Sequence, residues 1–189
     1  MTGTADEDRR DVARVLAGDV ETFAALVDRH QGRIVVHLRR LVGAADADDL
    51  AQETFMRAYQ ALDRFDPVYP FRGWLLVIAS RLAANHRTRR REARFADQAE
   101  AALPGRGGDP AQNHAEADAE AVLRARLDAA VAGLDADARL LYELRFRQEL
   151  EPAELAYHFG ITRNALKVRV HRLRQTLAAR LGIAVTGEE

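Results

Sequence analysis

The chain has 189 residues, with 28 Lys and Arg against 29 Asp and Glu, for a formal net charge of −1. At 48% hydrophobic and 30% charged it is composed like an ordinary globular protein of one large or two small domains, which excludes disordered and collagen-like chains. It contains no cysteine, which excludes disulfides, thiolate metal sites and a cysteine nucleophile. No apolar run approaches the roughly 20 residues of a membrane span. The charged start, Met1 to Arg14, has no apolar segment of a secretory signal, so a cytoplasmic protein without membrane insertion is expected.

Every periodic segment reads as helix, and none alternates with period two. Phe23, Leu26, Val27, His30, Ile34, Leu38 and Leu41 mark a first stripe, opened by Asp19 after Gly18. A second is expected to start at Asp46 as N-cap and to carry Leu50, Thr54, Ala58, Leu62 and Phe65. Asp48 and Asp49 then fall in its first turn, where they oppose the helix dipole favourably. Asp66-Pro67 stops it, and Pro70 precedes a third helix with Phe71, Trp74, Leu75, Ile78 and Leu82. The spacing of Trp74 with Phe71 and Ile78 places it in the core.

From about Phe95 to His114 the periodicity is lost, and Pro104-Gly105, Gly107-Gly108 and Asp109-Pro110 predict a linker. It resumes with Leu123, Leu127, Val131 and Leu134 and continues through Leu140, Leu141 and Leu144 to a short helix near Pro152–His158. A last helix carries Leu166, Val170, Leu173, Leu177 and Leu181. The expected fold is all-α: two small helical modules, 1–94 and 116–182, joined by a flexible acidic linker at 95–115 and followed by a tail at 183–189.

The neutral total hides a segregated charge. Residues 81–94 hold Arg81, Arg87, Arg89, Arg90, Arg91 and Arg94 against Glu92, a net +5. Residues 95–120 hold Arg106 against Asp97, Glu100, Asp109, Glu116, Asp118 and Glu120, a net −5. Residues 162–181 hold Arg163, Lys167, Arg169, Arg172, Arg174 and Arg180 with no acid, a net +6. Basic segments this dense are the footprint of phosphate binding, although a single one is also what a solvated helix face looks like.

Residues 151–174 read as a helix-turn-helix. Pro152 sits in the first turn of a helix, where a missing N–H costs nothing. Ala156 is small where two helices cross, and Gly160 ends the first helix with a positive φ. Ile161 plugs the angle between the helices, and Thr162 caps the second. The polar side of that second helix presents Arg163, Asn164, Lys167, Val168, His171 and Arg172, the pattern of a major-groove recognition helix. A plain helical hairpin with a basic face is the competing reading.

The run Asp48-Asp49-Leu50-Ala51-Gln52-Glu53-Thr54-Phe55-Met56-Arg57-Ala58 resembles the region-two core of bacterial sigma factors. So does Phe71-Arg72-Gly73-Trp74-Leu75-Leu76-Val77-Ile78-Ala79, followed by Asn85-His86 and an arginine run. Leu134 through Leu181 resembles sigma region four. With only a short linker between them, the whole resembles the extracytoplasmic-function (ECF) sigma factors over about residues 15–182.

That resemblance implies a subunit that binds core RNA polymerase and directs it to promoters. Docking on the β′ coiled coil is implied for Asp49, Gln52, Glu53 and Arg57. Glu53 and Arg57 also suit an ordinary i,i+4 pair. Capture of melted single-stranded promoter DNA at the −10 element is implied for Asp66, Tyr69, Arg72, Arg81, Asn85, His86, Arg89 and Arg90. Such capture needs cationic and aromatic walls around an unstacked base. Reading of the −35 element as duplex falls to Lys167, His171 and Arg172, with Asn164 and Val168 beside them and Arg163, Arg169 and Arg174 on phosphates. Family members often carry Gly-Thr-Val, then Arg or Lys, then Ser. This chain has Asn164-Ala165-Leu166-Lys167-Val168, and Val168 offers a thymine methyl an apolar contact rather than a hydrogen bond.

Leu140, Leu144 and Phe146 are expected partly in the core and partly against the polymerase β flap. The acidic linker suits either a simple tether or an RNA-like passage through the polymerase. The resemblance further implies an anti-sigma factor as partner. His30, His37, His86, His114, His158 and His171 show no metal-ligand spacing, and His30 and His37 are expected to be structural. No phosphate loop or nucleophile elbow is present, so neither cofactor nor catalytic activity is expected. Two other readings remain: a free-standing helix-turn-helix repressor, and a helical adaptor without DNA contact.

Overall fold

Local chemistry sets where each helix begins and ends. The computed structural model describes residues 3–100 and 115–183, with side chains placed for 3–93 and 120–183. These residues form eight α-helices: α1 (Gly3–Leu16), α2 (Phe23–Val42), α3 (Ala44–Gln60), α4 (Phe71–Glu100), α5 (Ala115–Ala132), α6 (Ala136–Tyr142), α7 (Pro152–Phe159) and α8 (Arg163–Leu181). A π-helical turn, Glu143–Arg147, extends α6, and there is no strand among the described residues. None of the described helices is long and apolar enough to cross a membrane.

The first cluster is α1–α4. Helix α2 turns Leu26, His30, Ile34 and Leu38 of the expected stripe inward, together with His37. Gly43 ends it at φ 91°, a left-handed conformation that glycine adopts without strain, and its N–H bonds back to Arg39 O. Helix α3 therefore starts at Ala44, before the expected cap. Asp46 instead lies within the first turn and meets α4, with Arg90 Nη1 at 2.6 Å and His86 Nε2 at 3.2 Å. The cap is displaced because the glycine corner comes first and the Arg90 guanidinium claims the carboxylate.

Helix α1 was not expected. Its buried face is Asp8, Val12 and Val15, so one of its three inward positions is a charge and the apolar pattern is too sparse to read. Asp8 is tolerated because His30 Nε2 lies 3.0 Å away and Arg29 Nη1 donates at 2.6 Å. Burial raises the Asp8 pKa, but the hydrogen bonds from His30 and Arg29 outweigh it and hold the carboxyl below its ordinary value.

Helix α4 is the centre of the molecule. Asp66 Oδ1 accepts from Val68 N at 3.0 Å, shaping the turn that delivers Pro70 and then Phe71. Phe65, Phe71 and Trp74 pack ring to ring at 5.2–5.6 Å, and Trp74 is buried as its spacing predicts. One side of α4 packs on α2 and α3, and another on α6, α7 and the π-turn. The helix continues to Glu100, past the boundary expected at 94. The linker motifs Pro104-Gly105, Gly107-Gly108 and Asp109-Pro110 lie outside the described residues, as do His114, the tail beyond Ile183 and the side chains of Asp97, Glu100, Glu116 and Asp118.

The second cluster is α5–α8. Among the described side chains of α5, burial falls at the C-terminal end: Ala130 and the following Leu134 are buried, whereas Leu123, expected on the stripe, is exposed. Asp135 caps α6, accepting from Ala138 N at 2.7 Å. The Arg139 guanidinium reaches back to the carbonyls of Val131, Ala132 and Leu134, which finish α5.

Candidate nucleic-acid interface

Helices α7 and α8 form the helix-turn-helix read from the sequence. Pro152 occupies the first turn of α7, and Gly160 closes it in the left-handed conformation at φ 63°. The Thr162 hydroxyl caps α8, accepting from Ala165 N at 3.1 Å. Ala156 is buried at the crossing, and Ile161 packs against the core. Leu166, Leu173 and Leu177 anchor the inner face of α8. Arg163, Asn164, Lys167, Val168, Arg169, His171, Arg172 and Arg174 are all exposed, so one outward surface carries the whole set. Arg174 differs in also lying over the Phe146 ring, 5.7 Å from its centroid, which ties its stem to the cluster beneath.

On α4 the candidate residues divide. Arg81, Asn85 and Arg89 follow one another at four-residue spacing and are exposed. His86 and Arg90 lie on the adjoining row and face Asp46. Tyr69 and Arg72 precede or open the helix, and here the second cluster intervenes. The Tyr69 ring stacks on Tyr157 at 4.6 Å, and Arg72 Nη2 reaches Gln148 O at 3.4 Å. Arg81 Nη2 donates to His158 O at 2.8 Å. Asp66 shapes the preceding turn.

On α3, Asp49, Gln52 and Arg57 are exposed and Glu53 is half-buried, on one side of the helix. Glu53 and Arg57 form the i,i+4 pair at 2.6 Å. Sequence reasoning missed the groove beside them. Phe23, Val27, Val35, Phe55, Met56 and Tyr59 line an apolar hollow of about 490 Å³ between α2 and α3, with Gln52 at its edge. Met56 is 59% exposed and Tyr59 is 42% exposed. The available signal was Met56 itself, an apolar residue on an otherwise polar helix face.

The remaining expectations sort by burial. His30 and His37 are buried and hydrogen-bonded, to Asp8 and to Ser80 Oγ at 2.8 Å, as befits structural residues. Leu144 is fully buried, Phe146 is half-buried, and Leu140 lines a cleft of about 590 Å³ that Arg87 and Arg139 also border.

A helix-turn-helix with a fully exposed basic face, joined to a second helical cluster with an arginine-rich helix, defines a two-module DNA-binding protein. The family profile of sigma-70 region 2 matches residues 26–93, which span α2 to most of α4. RNA polymerase sigma factor CnrH of Cupriavidus metallidurans is 32% identical over 183 residues, 93% of this chain and 95% of that protein. ECF RNA polymerase sigma factor SigW of Bacillus subtilis is 30% identical over 182 residues, 92% of this chain and 96% of that protein. The solved structure of CnrH in complex with the cytosolic domain of CnrY superposes with a TM-score of 0.59 at 26% identity, covering 93% of this chain and 97% of that one. The chain belongs to the ECF family of RNA polymerase sigma factors. It directs RNA polymerase to promoters, as a regulatory subunit without catalytic activity of its own.

Proposed function

We propose that the two clusters divide promoter recognition between them. The α8 surface from Arg163 to Arg174 reads the −35 element as duplex. Asp66, Tyr69, Arg72, Arg81, Asn85, His86, Arg89 and Arg90 receive the melted strand of the −10 element. The observation that carries the reading is the exposure of all eight α8 candidates on one helix, capped by Thr162 and set by the Gly160 turn. Major-groove readout requires such a surface.

Core polymerase docks on α3 through Asp49, Gln52, Glu53 and Arg57. The groove lined by Met56 and Tyr59 adds an apolar anchor for the β′ coiled coil. The 95–115 segment is read as the acidic link between modules, and the setting as cytoplasmic. The family resemblance adds the β flap and an anti-sigma factor as partners. CnrH, a relative of known structure, is seen with the cytosolic domain of CnrY.

Transcription in vitro with core polymerase tests the reading. The chain should yield new promoter-specific starts, which neither a repressor nor an adaptor provides. Asp49→Arg combined with Glu53→Arg should cut that transcription at least tenfold by weakening core binding, roughly the effect of 1.4 kcal/mol. Activity unchanged by the double reversal places the docking face elsewhere.

A further inference from the structure

We infer that the cleft bordered by α2, α4 and α6 is a binding site for a small phosphate-bearing ligand with a flat apolar body, a nucleoside polyphosphate. The inference does not rest on the promoter assignments proposed above. The cleft encloses about 590 Å³, a volume typical of small-molecule sites. Its lining is of two kinds. The cationic part is Arg87, Arg90 and Arg91 of α4 with Arg139 of α6, four guanidinium groups against the two carboxylates of Asp135 and Glu143. Both carboxylates are already engaged, Asp135 as the cap of α6 through Ala138 N and Glu143 in its pair with Arg40. Asp46 is likewise spent on Arg90. The apolar part is Leu41 and Val42 of α2, Ala83 and Ala84 of α4, and Leu140 of α6.

Two of the cations lack a matching anion. Arg87 is half-buried and has neither a hydrogen bond nor an ion pair among the described residues. Arg139 is held in place by its Nε and Nη2 bonds to the carbonyls of Val131, Ala132 and Leu134, which leave its Nη1 unused among the described residues. Burial first, and then the charge of Arg87, hold the Arg139 pKa below its ordinary value, with Asp135 acting the other way more weakly. The two guanidinium groups therefore repel one another at the cleft, and both have lost part of their hydration. A phosphate group that reaches both replaces that repulsion with charge-assisted hydrogen bonds, for which the planar guanidinium fork is well matched.

The apolar part of the lining narrows the ligand class. Inorganic phosphate would use the arginines alone and leave most of the volume to water. A ring system on the same molecule covers Leu41, Val42, Ala84 and Leu140 and gains their desolvation, the usual division of labour in a small-molecule site. Arg81, Asn85 and Arg89, the exposed row of α4, are not part of the lining.

The full chain is titrated with N-methylanthraniloyl-ATP at about 0.15 M salt, where attraction to exposed charges is largely screened. Unlabelled ATP, GTP, adenosine and inorganic tripolyphosphate then compete for the site. A nucleoside triphosphate should displace the probe with micromolar affinity, at least about tenfold tighter than adenosine or tripolyphosphate, because it alone engages both kinds of lining. Arg87→Gln should weaken that binding about tenfold, and Arg87→Lys less, since lysine keeps the charge without the fork. Ala84→Leu fills the apolar part without altering any charge. It should weaken the nucleotide about tenfold and leave tripolyphosphate unchanged. Circular dichroism melting confirms that each variant folds. No displacement by ATP or GTP at about 1 mM overturns the site. Unchanged nucleotide affinity in the folded Arg87→Gln and Ala84→Leu chains overturns it too, as does binding that falls instead with Arg169→Gln plus Arg172→Gln on α8. Tripolyphosphate binding as tightly as ATP overturns the nucleotide class.

Discussion

His37 and Asp8 show how a buried ionisable group is accommodated in two opposite ways. Asp8 stays charged because Arg29 and His30 supply hydrogen bonds in place of water. His37 stays neutral: burial first, then the like charges of Arg40 and Arg72, push its pKa down from 6.5 to about 4. Arg40 shares its helix, Arg72 approaches from α4, and Glu143, Gln148 and Ser80 complete its surroundings. The unfolded chain therefore takes up this proton before the folded one as pH falls. The stabilisation is complete above about pH 6.5 and is lost progressively toward pH 4, about 3 kcal/mol in all. Urea unfolding should show stability about 2 kcal/mol lower at pH 5 than at pH 7, and His37→Gln should flatten the slope. A slope that survives the substitution assigns it to other groups. The histidines were legible as structural because His30 lies on an apolar stripe and His37 beside it. Asp46 was not legible, since its cap preference is local and its partners Arg90 and His86 lie on another helix.

At the scale of elements, legibility followed locality. The helix-turn-helix could be read because each of its signals acts within a few residues. Proline opens α7, glycine supplies the left-handed turn, and threonine caps α8. Helix α1 could not be read, because Asp8 occupies a third of its buried face and is satisfied by α2. The apolar groove beside Met56 and Tyr59 was hidden for a related reason, since α2 and α3 create it only when packed together. The cap also bears on function. Arg163, Asn164 and Lys167 lie in or next to the first turn of α8, which Thr162 closes through Ala165 N. Thr162→Ala should cost about 1 kcal/mol of stability and fray that turn. Thermal melting and −35 duplex affinity should fall together, and Thr162→Ser should restore both. Loss of melting temperature without loss of DNA affinity would place the contacts further along α8.

For the whole molecule the neutral net charge is an arithmetic cancellation with a structural counterpart. Acids that balance the arginines are partly spent on them directly, Asp46 on Arg90 and Glu143 on Arg40, and the second of these pairs joins the two clusters. The docking between clusters was largely illegible, because the residues that make it are separated by the linker and by 77 positions between Arg81 and His158. One signal was present, the unbroken apolar run at Trp74–Ala79, too continuous for a helix covered on a single side. If docking of the two clusters and promoter engagement exclude each other, fixing the docked form should sharply lower activity without altering any of the residues proposed to contact the promoter. Val68 is 72% exposed next to Tyr69, and Tyr157 stacks on that tyrosine from α7. Val68→Cys with Tyr157→Cys, bridged by a short bis-maleimide, ties the two surfaces together. The bridged chain should give less than roughly a tenth of the promoter-specific transcript made by the same unbridged double variant, the difference expected when fewer than one molecule in ten can open. Equal transcription from the bridged chain would mean that polymerase and promoter are engaged with the clusters still docked.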